Sequence, residues 1–280
     1  MQKTDSFYKN YELLDCGDRR RLERFAGVLV DRPAKQALWA KKLPHSEWER
    51  ADVFYDGNEW HIKKSVPEPW VINIDAVSMS LKLCSSGQVG VFPEQILNWA
   101  WLKENASALT PSSVLNCFAY TGGSTLFASP LGEVCHVDAA RTSVKWSSDN
   151  AKLSGLGEKP IRWIVDDVIT FMKREVKRGR RYNGFILDPP AFGKGKGGKK
   201  WSLKQDFAEL FSLIGELSGG EINFVVLSCH DPEMSKDELS EYVSDINGVV
   251  KDGLEVLDLE IPSLSGNSLL CGICARFKKC

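Results

Sequence analysis

Short apolar runs alternate with stretches of helical periodicity from Ser112 onward. In the helical stretches, apolar residues recur at intervals of three and four positions. Alternation at this length is typical of βαβ units, which build a parallel sheet with helices on its faces. The predicted strands are SVLNCF, EVCHVD, IRWIV, NGFILD and INFVVLSC, and the helices after the second to fifth strands are SVKWSSDNAKLSG, DDVITFMKREVKRG, DFAELFSLIGELSGG and KDELSEYVSDINGVV.

The end of the chain follows a different pattern. GLEVLDLEI and NSLLCGICARF are consecutive strand-like segments joined by a short turn of Pro, Ser and Gly, with no helix between them. Five parallel strands followed by an antiparallel hairpin make a seven-stranded sheet, which differs from that of a dinucleotide dehydrogenase. We therefore predict an α/β fold with a doubly wound, seven-stranded, Rossmann-like sheet.

The first part of the chain is predicted to be β-rich. VFYDGNEWHI and WVINIDAVSM alternate apolar and polar residues, and Asp56-Gly57-Asn58 suits a hairpin turn. ILNWAWLKENASAL has apolar residues at helical spacing and is expected to be a bridging helix. These patterns predict a small β-rich domain over residues 1–85, a bridging segment over 86–110 and the α/β domain over 111–280.

Composition and charge narrow the class of protein. A hydrophobic content of 43% is ordinary for a globular chain, and 36 basic against 37 acidic residues give a net charge of −1. Binding to nucleic acid would therefore depend on local basic clusters. No apolar run approaches the ~20 residues of a membrane span, and the N-terminus carries no hydrophobic signal region. We expect a cytoplasmic protein that does not associate with membranes.

The eight cysteines show no spacing typical of secreted proteins. Cys271 and Cys274 form a CxxC pair, but they lie in a predicted strand, where residues three apart point to opposite faces. With no second pair to complete a metal site, we interpret them as structural thiols and predict no metal centre.

Three positions after consecutive strands suggest a site for an adenosine-containing ligand. Gly122 and Gly123 follow the first strand, where glycine allows a tight turn and a close approach of the backbone to a ligand. Asp138 ends the second strand, where a carboxylate can accept hydrogen bonds from both hydroxyls of a ribose. Asp166-Asp167 follows the third strand, and a carboxylate there suits an adenine amino group. Each feature alone also fits an ordinary turn or helix cap.

Several spaced motifs resemble the bacterial large-subunit ribosomal RNA methyltransferases of the cytosine-C5 and guanine-N7 group. The resemblance covers roughly residues 85–280. It rests on GVFPEQILNWAWL, VLNCFAYTGGSTLFA, HVDAARTSVKWSSDNAKLSGL, VDDVITFM and FILDPPAFG. It implies a methyltransferase that uses S-adenosyl-L-methionine and modifies RNA, although the RNA-binding PUA domain of relatives is not evident here.

The resemblance also implies which residues bind the cofactor. Asn116 stands where many methyltransferases have an acidic residue, and its amide can still hydrogen-bond the methionine amino group. Asp166 is expected to be a helix cap or to face solvent. The implied cofactor residues are Phe92, Gln95, Asn116, Phe118, Tyr120, Thr121, Gly122, Asp138, Asp167 and Asp188.

The segment after the fourth strand, Asp188-Pro189-Pro190-Ala191-Phe192, resembles the Pro-Pro-aromatic motif of methyltransferases that act on planar nitrogens. Prolines fix the backbone and remove N–H donors. Asp188 and the Pro189 carbonyl then accept hydrogen bonds from an exocyclic amine, and Phe192 offers a face on which a base stacks. An ordinary Asp-Pro-Pro turn is the alternative.

Cys229 ends the fifth strand and is a competing catalytic candidate. Some cytosine-C5 enzymes that resemble this chain have a cysteine there, whose thiolate adds to C6 of the pyrimidine. The alternative is a buried structural cysteine. His230 is adjacent, but neighbouring strand residues point in opposite directions.

Three basic segments are potential RNA contacts. GKGKGGKK (193–200) places four lysines among glycines and suits a phosphate backbone. It lacks the Ser or Thr of a nucleotide triphosphatase loop, and a solvated loop is the alternative. KREVKRGRR (173–181) and RRRLERF (19–25) are interpreted as smaller surface patches.

The leading hypothesis is a methyltransferase that acts on a base in ribosomal RNA. A methyltransferase with a protein or small-molecule acceptor and a non-catalytic RNA-binding assembly factor are the alternatives.

Overall fold

A computed structural model of the chain describes residues 7–190, 192–194 and 200–279. The chain divides into two compact units. The boundaries fall between Ala100 and Trp101, between Asp258 and Leu259, and between Cys271 and Gly272. A segment near the C-terminus, Leu259–Cys271, therefore belongs to the first unit. The domain boundaries predicted at residues 85 and 110 stay a prediction.

The first unit is built mainly of strands. Strands β1 to β5 form a five-stranded sheet in chain order, and β6 pairs with β7 in a separate hairpin. The strands are β1 Tyr11–Gly17, β2 Arg20–Phe25, β3 Val28–Pro33, β4 Val53–Tyr55, β5 Trp60–Ile62, β6 Val71–Ile74 and β7 Val77–Ser80, and α1 is His45–Glu49. This unit confirms the predicted β-rich region, and β4 and β5 are antiparallel around the predicted Asp56-Gly57-Asn58 turn.

Residues 20–25 of the basic segment 19–25 form β2, and the interpretation of this segment as a surface patch fails for Arg21, which is buried. Glu23 is fully buried, and Arg32 of β3 donates from Nε to its Oε2 at 2.6 Å. Arg21 is also buried, 3.4 Å from the same carboxylate. A buried charge requires an opposite charge beside it, so two of the cations in this region serve the interior of the sheet.

The predicted seven-stranded sheet is present, in the order β10-β9-β8-β11-β14-β16-β15. Its strands belong to the second unit, except residues 259–262 of β15 and 268–271 of β16, which are counted with the first. Strands β8 to β11 and β14 are parallel, and β16 runs antiparallel to β14. The strands are β8 Ser112–Cys117, β9 Gly132–Asp138, β10 Ile161–Val165, β11 Gly184–Leu187, β14 Phe224–Cys229, β15 Leu254–Pro262 and β16 Ser268–Lys278, and a hairpin is formed by β12 Phe192–Lys194 and β13 Lys200–Ser202. The predicted fold class is confirmed.

Helices alternate with these strands as the periodicity predicts. They are α2 Ile96–Glu104, α3 Ala106–Leu109, α4 Gly123–Ala128, α5 Arg141–Leu153, α6 Val168–Lys177, α7 Leu203–Ser218 and α8 Lys236–Ser244. The predicted bridging helix is divided at Asn105, whose side chain donates to the Trp101 carbonyl at 2.8 Å. No helix within the described ranges combines the length and the hydrophobicity that crossing a bilayer requires.

The core of the second unit fixes the central strands. Every residue of β11 and β14 is buried, because strands in the middle of a parallel sheet are covered on both faces. Phe171 of α6 and Phe207 of α7 belong to the same apolar cluster. The carboxyl ends of β8, β11 and β14 are thus held at one edge of a rigid sheet.

The basic segment 173–181 is partly committed to ion pairs. Lys173 pairs with Glu209, and Arg178 donates to Glu175 at 2.9 Å. Such pairs leave fewer free cations for phosphate than the sequence suggests.

Candidate active site

The predicted glycine turn joins β8 to α4 in a strained conformation. Phe118, Tyr120 and Gly122 have positive φ angles of 57°, 46° and 90°. A Cβ at Gly122 would lie 2.6 Å from the Ser147 Cβ of α5. Both the backbone angle and the close packing therefore require glycine at this position. Strained backbone of this kind is typical of functional sites.

Asp138 is fixed beside this turn by two backbone donors. Tyr120 N–H donates to its Oδ2 at 2.9 Å, and Ala140 N–H donates to its Oδ1 at 2.8 Å. Burial raises the pKa of Asp138, and the two N–H donors act in the opposite direction. Each carboxylate oxygen has two lone pairs, so both oxygens retain acceptor capacity for a pair of ribose hydroxyls.

Asn116 lies inside the unit, below the turn. It is 1% exposed, and its Nδ2 donates to Thr125 Oγ1 at 2.8 Å. The same hydroxyl lies 2.8 Å from Nδ1 of His136, and the opposite ring nitrogen lies 3.2 Å from Ser147 Oγ. This network ties β8, β9, α4 and α5 together, and burial lowers the pKa of His136 to about 3.

The structure assigns different positions to Asp166 and Asp167 than expected. Asp167 is the N-cap of α6 and accepts from Thr170 N–H at 2.9 Å. Asp166 is buried and paired with Arg174, so the expectation that it caps a helix or faces solvent is wrong. Asp166 N–H also donates to the Asp138 carbonyl at 3.1 Å, which places the end of β10 beside that of β9.

Thr121 and Tyr120 complete the turn. The Thr121 carbonyl accepts from Asn150 Nδ2 of α5 at 3.0 Å, and the Tyr120 ring lies 6.4 Å from that of Trp146. Asn150 and Trp146 are supporting residues that motif reasoning missed. The sequence signal for them is that they lie one helical turn apart on α5, and so on the same face of that helix.

Asp188 lies next to the same turn, at the end of β11. Its N–H points to the Cys117 carbonyl at 3.4 Å, which places it beside the end of β8. Its Oδ1 lies 2.8 Å from Nε2 of His230, which follows β14. The sequence placed His230 beside Cys229 and did not predict this pair. Pro189 is buried and Pro190 exposed, whereas the predicted stacking side chain of Phe192 and the whole of Ala191 lie outside the described part.

Cys229 is enclosed by the sheet. It is 0% exposed, and burial raises the pKa of its thiol to about 11. A nucleophilic cysteine needs a thiolate that reaches the substrate. These properties favour the structural alternative over the nucleophile.

Two predicted residues lie in the first unit. Gln95 ends a 3₁₀ turn, Pro93–Gln95, and its Oε1 accepts from Asn98 Nδ2 at 2.6 Å. Phe92 precedes this turn and is half-buried. Residues 195–199 of the lysine-glycine segment lie outside the described residues.

The arrangement around β8 fits an adenosyl ligand. Ligands of open α/β sheets bind beyond the carboxyl ends of the strands, near the point where the strand order reverses. Here that point lies between β8 and β11, with Asp138 on one side and Asp188 on the other. The Asp138 carboxylate, which two backbone N–H groups orient, suits the ribose diol of a nucleoside. The Asp188 carboxylate, which precedes two prolines, suits a polar group that accepts the methyl.

Comparison with known proteins agrees with this geometry. The sequence profile of the S-adenosylmethionine-dependent methyltransferase family matches residues 9–250. A crystal structure of a SAM-dependent methyltransferase from Agrobacterium tumefaciens is 31% identical, with a TM-score of 0.86, over 96% of this chain and 90% of that one.

Curated relatives share shorter stretches. Ribosomal RNA large subunit methyltransferase I of Aeromonas salmonicida is 31% identical over 131 residues, 46% of this chain and 32% of that protein. Ribosomal RNA large subunit methyltransferase K/L of Methylococcus capsulatus is 38% identical over 84 residues, 29% of this chain and 11% of that protein. The matches thus span about a third or less of these relatives.

The profile match includes strands β1 to β14 and the turn after β8, and the structure from Agrobacterium tumefaciens aligns with 96% of the chain. The chain therefore belongs to the S-adenosylmethionine-dependent methyltransferase family and is an enzyme whose cofactor is S-adenosyl-L-methionine.

Proposed function

We propose that this enzyme methylates a base nitrogen in ribosomal RNA. The observation that carries the proposal is the position of Asp188. This residue follows β11, precedes two prolines and lies beside the end of β8, where the glycine turn begins. The names of the relatives from Aeromonas salmonicida and Methylococcus capsulatus support RNA as the substrate.

The cofactor residues are proposed from the turn and its neighbours. Asp138 would accept the ribose hydroxyls, because two backbone donors already fix its orientation. Asp167 would accept the adenine amino group, and Gly122 would let the backbone approach the methionine part. Asn116, Phe118, Tyr120 and Thr121 complete the proposed set in the second unit, and the cofactor roles of Phe92 and Gln95 in the first unit stay predictions from the sequence.

When bound, S-adenosyl-L-methionine supplies an electrophilic methyl group. The chain then has to hold the acceptor in line with it, and alignment of this kind accounts for much of the rate of such reactions. Asp188 and the Pro189 carbonyl would accept hydrogen bonds from an exocyclic amine and so fix its lone pair. The base would stack on Phe192 after it is extruded from its helix.

The burial of Cys229 supports nitrogen over carbon-5 as the acceptor. Attack on C6 of a pyrimidine requires a thiolate in contact with the ring. A fully buried thiol with a pKa of about 11 is protonated at neutral pH. Cys229 is therefore proposed to pack in the sheet.

Incubation with tritiated S-adenosyl-L-methionine and RNA from a strain that lacks the gene tests the proposal. We expect label in ribosomal RNA, with a methylated base nitrogen identified by mass spectrometry of the nucleosides. The net charge of −1 leaves a protein or small-molecule acceptor as the second candidate. Label in those fractions and none in RNA would overturn the first proposal.

Location in the cytoplasm is proposed together with this substrate, since ribosomal RNA is found there. The cysteines of the described ranges are free thiols, which agrees with a reducing compartment. Fractionation of cells that express the tagged protein tests it.

A further inference from the structure

Two side chains from adjacent strands meet at the proposed acceptor position. Asp188 directly follows β11, and His230 directly follows β14. These strands are parallel neighbours, with Leu187 paired to Leu227. Nε2 of His230 and Oδ1 of Asp188 lie 2.8 Å apart, within hydrogen-bond distance, although 42 residues separate them in the chain.

The backbone of β16 passes close to the imidazole of His230. A Cβ at Gly272 would lie 3.0 Å from His230 Nδ1 and 2.4 Å from the Cys229 carbonyl oxygen. Gly272 has a φ of 154°. The chain thus brings bare backbone against the histidine at this point, as glycine within a strand permits. The ring thus has β16 backbone near Nδ1 and the Asp188 carboxylate at hydrogen-bond distance from Nε2.

Partial exposure leaves this pair accessible to a substrate. Both side chains are 28% exposed, so neither is sealed in the core. An Nε2–H that donates to Oδ1 fixes the rotation of the carboxyl group, while Oδ2 faces a different direction. A hydrogen bond to an ionised acceptor is short and directional, which is what alignment of a target amine requires.

We propose that His230 is a positioning residue, which holds the Asp188 carboxylate in the orientation that accepts a hydrogen bond from the target amine. This inference rests on the proposed function, since it assigns His230 to the same acceptor position. Nε2 of His230 lies at hydrogen-bond distance from the Asp188 carboxylate, so the proposed role of His230 is toward Asp188 and not toward its chain neighbour Cys229.

Two substitutions of His230 separate a specific hydrogen bond from general packing. H230A removes the donor, whereas H230Q places an amide nitrogen near the position of Nε2. With tritiated cofactor and RNA from a strain that lacks the gene, we expect H230A to lower kcat roughly 10- to 100-fold. The KM for S-adenosyl-L-methionine should stay unchanged, and H230Q should recover most of the loss.

The chain offers a matched control. His61 and Asp56, in the first unit, form a pair at the same 2.8 Å distance with similar exposure. H61A should leave kcat unchanged. If H230A is as active as the wild type, or if H230Q is as inactive as H230A, the positioning role of His230 is refuted.

A spectroscopic measurement tests the pair without any RNA. In protein labelled with ¹⁵N-histidine, D188N should shift the Nε2 resonance of His230 and leave that of His61 in place. D56N should do the reverse. A His230 resonance that ignores D188N would overturn the inference even if RNA methylation is observed. Wild-type enzyme that labels no RNA would instead overturn the proposed function, and the NMR result would still decide whether the pair exists.

Discussion

At the scale of single residues, the carboxylates at the strand ends differ in their hydrogen-bond and ion-pair partners. Asp166 is neutralised by Arg174 inside the unit, whereas both oxygens of Asp138 accept backbone N–H groups. Asp188 lies 2.8 Å from the imidazole of His230 and is partly exposed. We therefore expect a ligand or substrate that donates hydrogen bonds to meet Asp138 and Asp188, and not Asp166.

Asp188 and Cys229 give opposite predictions for the two acceptor chemistries. D188A should lower kcat by roughly 100-fold or more, because alignment of the amine is lost. Affinity for the cofactor, measured by calorimetry, should stay within a few-fold. C229A should be nearly silent, since the thiol only fills space in the sheet.

The contrary outcomes are equally specific. Loss of cofactor binding in D188A would mean that this carboxylate holds the cofactor and not the acceptor. Loss of activity in C229A, with an unchanged thermal midpoint, would restore the carbon-5 mechanism.

His136 should make the stability of the fold depend on pH. Burial lowers its pKa in the folded chain to about 3, against about 6.5 in the unfolded chain. Between these values the unfolded chain binds the additional proton, so the free energy of unfolding falls as pH decreases below about 6.5, by up to about 1.4 kcal/mol per pH unit. Above about pH 7.5 His136 is neutral in both states, so this loss of stability is absent.

Urea unfolding between about pH 7.5 and about pH 5 measures this effect, because this range extends from about one unit above the free imidazole pKa to about 1.5 units below it. H136Q removes the titrating group and should flatten the dependence. H45Q, at a histidine whose side chain is 83% exposed, should leave it unchanged. Equal slopes for wild type and H136Q would show that His136 does not supply the pH dependence.

At the scale of elements, Asp167 has two proposed tasks that one pair of variants can separate. Asn caps a helix about as well as Asp, whereas Ala costs about 1 kcal/mol. D167N should therefore keep the stability that the α6 cap provides, yet weaken cofactor binding if the carboxylate accepts the adenine amino group. D167A should lose both.

Ser235 is the matched control for this prediction. It caps α8 with a full capping box and lies on a different helix. S235A should lower the thermal midpoint as D167A does, without any change in cofactor affinity. Unchanged affinity in D167N would leave Asp167 as a cap alone.

The helices and strands were predictable from the sequence where the periodicity of apolar residues determines them. The alternation after Ser112 predicts the parallel strands and the closing hairpin, and the structure confirms both. The burial of β2 was not predictable, because a segment rich in arginine resembles an exposed one. Only the structure shows that Glu23 forms ion pairs with Arg21 and Arg32 inside the sheet. The Asp188–His230 pair was also missed, since it depends on the adjacency of β11 and β14, although both residues follow predicted strands.

At the scale of the whole molecule, charge limits how RNA is bound. The net charge is −1, and Lys173, Arg174 and Arg178 are engaged by acidic side chains. The lysine-glycine segment 193–200 concentrates positive charge, with four lysines in eight residues. We therefore expect this segment to provide much of the electrostatic attraction to RNA.

Replacement of these four lysines by glutamine tests the expectation. Each phosphate contact with a single strand contributes about 0.7 to the slope of log K against log salt. The variant should lower that slope by up to about 3 and weaken RNA binding most at low salt, while cofactor affinity stays unchanged. The lysines are Lys194, Lys196, Lys199 and Lys200.

A second variant with the same change in net charge distinguishes local contact from overall charge. It replaces four exposed lysines elsewhere in the second unit, which are Lys152, Lys159, Lys177 and Lys251. Filter binding of single-stranded ribosomal RNA fragments at increasing salt compares the two. If both variants lower the slope equally, RNA responds only to net charge, which acts over a Debye length of about 10 Å at 0.1 M salt. A larger effect of the first variant shows that phosphates contact the segment itself, because counterions are released only where cations meet the backbone.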